Sequence, residues 1–145
     1  MIIAIASDHA GFDQKESLKK YLEQQGNNVI DCGCFSCDSV DYPDFGSKAA
    51  KLVSEGRAER GILVCGSGMG MCIVANRFTS VRAAVLRNED EAKLSRDHND
   101  ANVACFGGRS SDMNTIKKLT DIFLTTPFGG GRHKRRVDKI DKLEI

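Results

Sequence analysis

Short apolar runs alternate with amphipathic stretches along most of the chain. Five runs predict buried strands, over residues 2–6, 28–31, 61–65, 81–86 and 101–106. Between them, helical spacing of apolar residues predicts helices over 14–25, 44–55, from the glycines after residue 65 to about 76, 89–97 and 114–124. Parallel strands need crossover connections, and their apolar residues do not alternate with polar ones. The pattern therefore predicts an α/β fold, with a five-stranded, mostly parallel sheet covered on both faces.

The pattern changes after Pro127, where the chain reads FGGGRHKRRVDKIDKLEI. Val137, Ile140 and Ile145 are too sparse to bury much surface against their own domain. We therefore predict a glycine-hinged C-terminal arm over about 127–145, with a short helix, that reaches a second subunit. The 145 residues suit a single domain, 1–145.

Composition narrows the classes of function. Lys and Arg number 21 and Asp and Glu 20, so the net charge of +1 excludes the broad cationic surface of a dedicated nucleic-acid-binding protein. The N-terminal stretch has no positively charged leader, and no apolar run approaches the roughly 18 residues of a membrane helix. We expect a cytoplasmic protein with neither a nucleic acid nor a membrane as partner.

The six cysteines are too few for a secreted disulfide scaffold and are expected to be free thiols. Cys34 and Cys37 have C-x-x-C spacing, but the sequence offers no second pair to complete a tetrahedral zinc site. No metal site is predicted. The sequence assigns no role to the cysteines outside the glycine loop, which are Cys32, Cys34, Cys37, Cys72 and Cys105.

A glycine-rich loop follows the third predicted strand, in the stretch CGSGMG. Its glycines, Gly66, Gly68 and Gly70, have neither the lysine of a Walker A loop nor the G-x-G-x-x-G spacing of a dinucleotide site. Such a loop, followed by a helix, lets backbone N–H groups converge on an anion. Cys65 at its edge is a candidate base or nucleophile, because nearby N–H dipoles stabilise a thiolate. The alternative is that Cys65 is simply a small buried strand residue.

Other polar residues are candidate partners of the thiol. Asp8 and His9 follow the first strand, whose carboxyl end should lie near that of the third. His98 and Asn99 end the fourth helix, where the histidine is also a candidate helix cap. The basic segment 131–136 is suited to clamping a phosphate, or is a solvated tail.

These groups together suggest proton transfer rather than metal chemistry. Such a site would contain a thiolate base, converging amides, a histidine and a phosphate clamp. It would be able to take a proton from a carbon next to a carbonyl and to stabilise the resulting enediolate. This is the chemistry of aldose–ketose isomerisation of a phosphorylated sugar.

Five motifs carry a resemblance over essentially the whole chain: SDHAG, DYPDF, CGSGMG, RDHNDANV with FGGR, and GGGRHKRRV. In this order they closely resemble the ribose-5-phosphate isomerases of the B type, a family that includes galactose-6-phosphate isomerase subunits. The resemblance implies a Rossmann-like three-layer α/β sandwich and a homodimer or tetramer. It also implies active sites shared between subunits, with a sugar phosphate as substrate and neither metal nor cofactor.

The resemblance also implies roles for individual residues. Cys65 is similar to the base that moves a proton from C2 to C1, and His98, from the partner chain, to the group that opens the sugar ring. Asp8 resembles the acidic group at the reacting hydroxyls, while Ser67 and the N–H groups of residues 66–70 would hold the enediolate. The remaining binding candidates are the phosphate ligands His9, Arg132, Arg136, Arg109 and His133, the sugar-lining residues Tyr42 and Asn99, and the loop residues Gly66, Gly68, Met69 and Gly70.

One branch of the family uses a glutamate just after the glycine loop instead of a cysteine. That position is Met71 here, so the chain resembles the cysteine branch, with Ser67 where many members have threonine. Two other functions stay open. The first is isomerisation of a six-carbon sugar phosphate such as allose or galactose 6-phosphate, and the second is non-catalytic binding of nucleotide or RNA through the basic arm.

Overall fold

A computed structural model describes residues 1–143. One five-stranded sheet runs through it in the order β2-β1-β3-β5-β4, and every neighbouring pair of strands is parallel. The strands are β1 (Ile2–Ser7), β2 (Asn28–Asp31), β3 (Arg60–Cys65), β4 (Ala83–Val85) and β5 (Val103–Gly107). The predicted α/β class and strand count are confirmed.

Helices cover both faces of the sheet, as predicted. They are α1 (Phe12–Gln24), α2 (Tyr42–Ser54), α3 (Met69–Ala75), α4 (Glu89–Asp97), α5 (Met113–Thr125) and α6 (Arg132–Asp141), with a short 3₁₀ turn at His9–Gly11. Helices α1, α4 and α5 pack on one face, and α2 and α3 on the other, which gives three layers. Within residues 1–143, no helix is both long and apolar enough to cross a membrane.

The two faces of the central strands are buried in two different cores. Along β1, Ile3 and Ile5 face α1 and α5, whereas Ala4 and Ala6 face α2 and α3. All four side chains are fully buried. Because alternate residues of a strand point to opposite faces, burial of both faces explains why the strands lack an apolar–polar alternation.

The fourth strand is shorter than the predicted run over 81–86. The side chain of Asn76 accepts a hydrogen bond from Ala83 N at 2.8 Å and donates one to Ala83 O at 3.0 Å. The Asn76 side chain thus satisfies the N–H and C=O groups of Ala83 at the outer edge of β4, where a further strand would otherwise pair. The strand begins at Ala83, so residues 81 and 82 of the apolar run precede it and Leu86 follows it.

The C-terminal arm packs against its own chain, so the expectation that it buries little there is wrong for Val137. This residue is 5 % exposed. Gly129 N donates to Asp97 O at 2.9 Å, and Arg82 pairs with Asp141 at 2.8 Å. These contacts hold both ends of α6 near the end of α4. Ile145, another residue of the predicted arm, lies outside the described residues.

A buried ion pair fixes the loop after β2 to the start of α1. The ammonium of Lys15, fully buried, donates to Asp31 Oδ1 at 2.8 Å and to the Cys34 carbonyl at 2.6 Å. Burial alone would raise the pKa of Asp31, but hydrogen bonds from Lys15 and Gly33 N outweigh it and hold this pKa below its ordinary value. The carboxylate is therefore charged at neutral pH.

The loop after β2 continues the hydrogen bonding of β1 as far as Ser7, the last residue before Asp8. Ser7 N donates to Gly33 O at 2.7 Å, and Cys34 N donates to Ser7 O at 2.9 Å. The chain therefore leaves β1 in a defined direction, so the Lys15 network determines where Asp8 begins the next turn.

We predict that Asp31→Asn lowers the free energy of unfolding by about 3 kcal/mol, because the buried Lys15 ammonium then keeps only the more exposed Glu16 carboxylate, 3.0 Å away, as a counter-charge. Urea titration at pH 7 measures the change. The matched control is Lys19→Met, which removes a partly exposed cation 3.4 Å from the same carboxylate and should cost less than about 1 kcal/mol. Equal losses in the two variants would contradict a special role for the buried pair.

Candidate active site

Three loops leave the sheet side by side at the carboxyl ends of β1, β3 and β5. Ser7 pairs with Val64, and Cys65 with Gly107. Asp8 N donates to Val64 O at 3.2 Å, and Gly108 N donates to Cys65 O at 2.7 Å. The expectation that the first strand ends near the third is confirmed, and ligand sites of parallel α/β sheets lie at this edge.

Cys65 is the last residue of β3 and is 4 % exposed. Its sulfur accepts a hydrogen bond from Gly68 N at 3.2 Å, so one amide of the glycine loop points at the thiol. The same side chain also packs in the core under α2 and α3. In the single chain, the thiol therefore has both a polar partner from the loop and the burial of a strand residue.

The glycine loop lies directly against the backbone that follows β5. Gly68 has a φ of +80°, and a Cβ atom there would lie 3.0 Å from the carbonyl carbon of Phe106. From the other side, a Cβ on Gly107 would lie 3.0 Å from the carbonyl carbon of Ser67. Side chains at either position would push the loops apart, so glycine is required for this close approach.

Two predicted binding residues flank the loop. Arg109 lies over Gly66, where an added Cβ would be 3.1 Å from its Nη1 atom. Tyr42, the first residue of α2, lies over Gly70, where an added Cβ would be 2.7 Å from the ring carbon that bears the hydroxyl. A cation and a phenol are thus placed on either side of the loop amides.

The exposed part of the loop presents a hydroxyl and an apolar side chain. Ser67 Oγ accepts a hydrogen bond from Met69 N at 3.2 Å, and both residues are exposed. The hydroxyl keeps its own proton free to donate, because in this contact it is the acceptor.

Asp8 and His9 form the turn that begins at the end of β1. Asp8 Oδ1 accepts from Ala10 N at 2.9 Å and from Gly11 N at 3.2 Å, so the carboxylate caps the turn. His9 Nδ1 accepts from Val40 N at 3.1 Å. The neutral imidazole therefore carries its proton on Nε2, which is the atom available to a ligand.

A second group of predicted residues lies around the end of α4. The backbone N–H of His98 donates to Leu94 O at 2.9 Å at the end of this helix, while a cap formed by its ring stays a prediction. Its ring stacks on that of His133 with centroids 4.1 Å apart, and its Nε2 is 3.8 Å from Asp97 Oδ2. The pKa of His133 is lowered, mainly by partial burial and to a smaller extent by the nearby His98 and Arg132.

The basic side chains of α6 share this region. Arg132 and Arg136 are exposed in the first part of the helix, on either side of His133 in sequence. Asn99 lines a groove of about 750 Å³ at the outer edge of β4, between the end of α3 and α6. The helix that contains the predicted phosphate clamp is thus anchored next to His98.

The predicted site residues therefore form two separate groups in one chain. The carboxyl-edge half-site contains Asp8, His9, Tyr42, Cys65, Gly66, Ser67, Gly68, Met69, Gly70 and Arg109. The amino-edge half-site contains His98, Asn99, Arg132, His133 and Arg136. Strand β5 begins opposite Gly61 and ends opposite Cys65, while His98 precedes this strand. Its five residues, at about 3.3 Å each, separate the two half-sites by more than about 13 Å.

Sequence reasoning missed two residues that shape the carboxyl-edge half-site. Val40 orients His9 through its backbone N–H, which almost any residue could provide, so no sequence signal pointed to it. Gly11 passes so close to β3 that a Cβ there would lie 2.6 Å from Val64 O. This glycine ends the SDHAG motif, and its place two residues after His9 was the signal available.

Comparison with known proteins gives consistent results over the full chain. Residues 3–140 match the family described as Ribose/Galactose Isomerase. Ribose-5-phosphate isomerase B of Escherichia coli is 41% identical over 142 residues, which are 98% of this chain and 95% of that protein.

Two solved structures extend the similarity to the fold. The ribose 5-phosphate isomerase of Thermotoga maritima has a TM-score of 0.95 at 47% identity, covering 98% of each chain. Ribose-5-phosphate isomerase B of Mycoplasma genitalium, solved with bound ribulose-5-phosphate, has a TM-score of 0.94 at 40% identity and covers 97% of this chain and 94% of that one.

We predict that Gly68→Ala destabilises the fold more than Gly56→Ala. Both glycines have positive φ values, of +80° and +70°, so alanine costs about 1 kcal/mol at each. A Cβ on Gly56 meets nothing within 4 Å, whereas one on Gly68 meets the backbone after β5 and should cost about 1–3 kcal/mol more. Urea titration of both variants measures the difference, and equal losses would contradict the close packing of the two loops.

Proposed function

The chain belongs to the ribose/galactose isomerase family, and from this premise we propose that it interconverts ribose 5-phosphate and ribulose 5-phosphate, with Cys65 as the base. The observation that carries the proposal is the hydrogen bond from Gly68 N to Cys65 Sγ, within a loop built for close backbone approach. A thiol at this position is next to the amides that an enediolate needs.

The proposed reaction moves one proton between adjacent carbons. The Cys65 thiolate takes the proton from C2 of the open-chain aldose, and the electron pair forms the C1–C2 double bond as the carbonyl oxygen becomes an oxyanion. A proton then passes from the hydroxyl on C2 to that oxyanion, and the Cys65 thiol returns its proton to C1. The product is the ketose, with no net change in protons.

The carboxyl-edge half-site offers a group for each of these steps. The amides of residues 66–70 and the Ser67 hydroxyl would stabilise the oxyanion, while the free Asp8 oxygen would relay the hydroxyl proton. The small exposed fraction of Cys65 limits the access of bulk water to the thiolate. Tyr42 and Arg109, on either side of the loop, would hold the sugar in place.

Ring opening and the phosphate clamp would require a second chain. His98 and Arg132 lie at the other end of the sheet from Cys65, so one chain cannot place them on the same small sugar. A two-fold pair would join the carboxyl edge of each chain to the amino edge of its partner, which creates two equal sites. The phosphate would then lie between His9 of one chain and the α6 arginines of the other.

An exposed apolar strip supports this pairing. Met69 and Ile73, one turn apart on α3, are 61 % and 68 % exposed and lie beside the glycine loop. Large apolar side chains grouped next to a polar site are typical of a protein interface. A partner that covers them would also enclose the thiol.

We predict that Cys65→Ala lowers turnover of ribose 5-phosphate by about 100-fold to 10,000-fold, because it removes the base of the proton transfer. Turnover is measured with a chelator present, and exchange of the C2 proton is followed by NMR in D₂O. The control is Cys37→Ala, which changes an exposed cysteine with no role in the proposed reaction and should leave turnover unchanged. An active Cys65→Ala variant, with normal proton exchange, would contradict the proposed base.

The same assay separates the five-carbon from the six-carbon substrate. Turnover of ribose 5-phosphate and allose 6-phosphate is compared side by side with the unmodified protein. We expect the higher kcat/KM with the five-carbon sugar; a preference for the six-carbon sugar would keep the chemistry and change the assigned substrate.

We also predict that two inactive variants restore each other. When Cys65→Ala and His98→Ala are mixed under subunit exchange, mixed dimers contain one site with both residues intact. Random pairing should give about a quarter of the unmodified activity. Each variant mixed with itself is the control, and the absence of any recovery, once mixed dimers are shown by native mass spectrometry, would contradict shared sites.

A further inference from the structure

The imidazoles of His98 and His133 form a stacked pair in the amino-edge half-site. Their ring centroids are 4.1 Å apart, and their planes differ by 15°. His98 directly follows the last residue of α4, whereas His133 is the second residue of α6. The side chain of His98 is 42 % exposed, so the stack leaves part of this ring accessible to a ligand.

Backbone contacts bring the two rings together. Gly129 N donates to Asp97 O at 2.9 Å, and a Cβ on Gly129 would lie 3.0 Å from that same carbonyl oxygen. His133 N donates to Gly130 O at 3.0 Å, which joins the first turn of α6 to the segment that touches α4. The main chain therefore places the start of α6 against the end of α4, with the two imidazoles side by side.

The stack sets the direction of the His98 ring. The adjacent carboxylate does not do so, because Asp97 Oδ2 is 3.8 Å from His98 Nε2, which is beyond hydrogen-bond distance. Two aromatic rings in contact hold their planes in a preferred relative orientation. The plane of the His98 ring therefore follows that of His133.

The charge state of His133 suits this contact. Its pKa is lowered, mainly by partial burial and then by His98 and Arg132. Asp97 acts in the opposite direction, and Arg136 adds a smaller lowering. The His133 ring is therefore neutral at pH 7 and adds no positive charge against His98. An uncharged imidazole would also contribute less to phosphate binding than the neighbouring guanidinium groups.

We propose that His133 is a positioning residue that orients His98 for opening of the sugar ring, a role that rests on the isomerase function proposed above. Opening breaks the C1–O4 bond of the furanose: the O1 hydroxyl loses its proton as the C1 carbonyl forms, and O4 takes up a proton. The N–H bonds of an imidazole lie in the plane of its ring. His98 therefore exchanges protons with these oxygens only when that plane is aimed at them.

Three replacements of His133 test the stack by turnover of ribose 5-phosphate. His133→Ala removes the stack and should lower turnover by about 10-fold to 100-fold, because the His98 plane is no longer fixed. His133→Phe keeps a flat ring and should restore most of the turnover, whereas His133→Gln keeps hydrogen-bonding groups without a ring and should resemble His133→Ala. The opposite order, with the Gln variant active and the Phe variant inactive, would indicate a phosphate ligand and overturn the proposal.

The matched control is Lys139→Ala, which changes an exposed residue in the last turn of the same helix and should keep full turnover.

Ribulose 5-phosphate separates ring opening from the proton transfer itself. Its O5 carries the phosphate, so this ketose cannot close a five-membered ring and reaches the enediolate without the opening step. In D₂O, His133→Ala should therefore exchange the C1 proton of ribulose 5-phosphate at nearly the unmodified rate, as followed by NMR. Cys65→Ala, which removes the proposed base, should lose this exchange. A loss of exchange in His133→Ala as large as its loss of turnover would contradict a role in ring opening.

The stack also has a signature that needs no substrate. Ring protons that lie over a neighbouring aromatic ring resonate upfield, so His133→Ala should move the carbon-bound ring protons of His98 downfield, and His133→Phe should move them less. Unchanged resonances in His133→Ala would overturn the proposal. An unmodified protein without turnover of ribose 5-phosphate would instead overturn the proposed function, and this role of His133 with it, whatever the resonances show.

Discussion

The close approach of three backbone segments at the carboxyl edge of the sheet is the constraint on which the candidate site depends. Gly11 touches the end of β3, and Gly68 and Gly107 hold the loops after β3 and β5 against each other. In each case an added Cβ would meet main-chain atoms, which have little freedom to move away. The loops therefore form one packed unit, and the amide that points at Cys65 is fixed by the same contacts that hold Asp8 beside β3.

Parallel topology explains why the site divides into two parts. A helix that follows a parallel strand must return to the opposite edge before the next strand can begin, so α4 delivers His98 to the amino edge. The stack with His133 and the contact between Gly129 and Asp97 then bring α6, with its arginines, to the same place. The fold thus places the proposed acid–base and phosphate-binding groups at opposite ends of one sheet, and a second chain would be needed to combine them.

The sequence predicted what depends on local periodicity and missed what depends on distant contacts. The five strands follow from apolar runs, and the loop glycines from spacing. The outer edge of β4 is paired by the Asn76 side chain, and the tautomer of His9 depends on an amide 31 residues away in sequence. The burial of Val137 accompanies the contacts of Gly129 with Asp97 and of Asp141 with Arg82. Such contacts leave no periodic signal, so only the folded chain reveals them.

The two faces of the sheet contribute differently: one supplies most of the hydrophobic stabilisation, and the other positions the candidate site. The face under α1, α4 and α5 is filled by large side chains, such as Phe106, Phe123 and Leu18, whose burial contributes most hydrophobic free energy. The opposite face is filled mainly by alanine, valine and cysteine. Small residues let α3 pack close to the strands, and the amide of Gly68, just before this helix, lies 3.2 Å from Cys65 Sγ. A core of large residues on this face would bury more surface, but it would hold α3 farther from the sheet and separate the thiol from its amide.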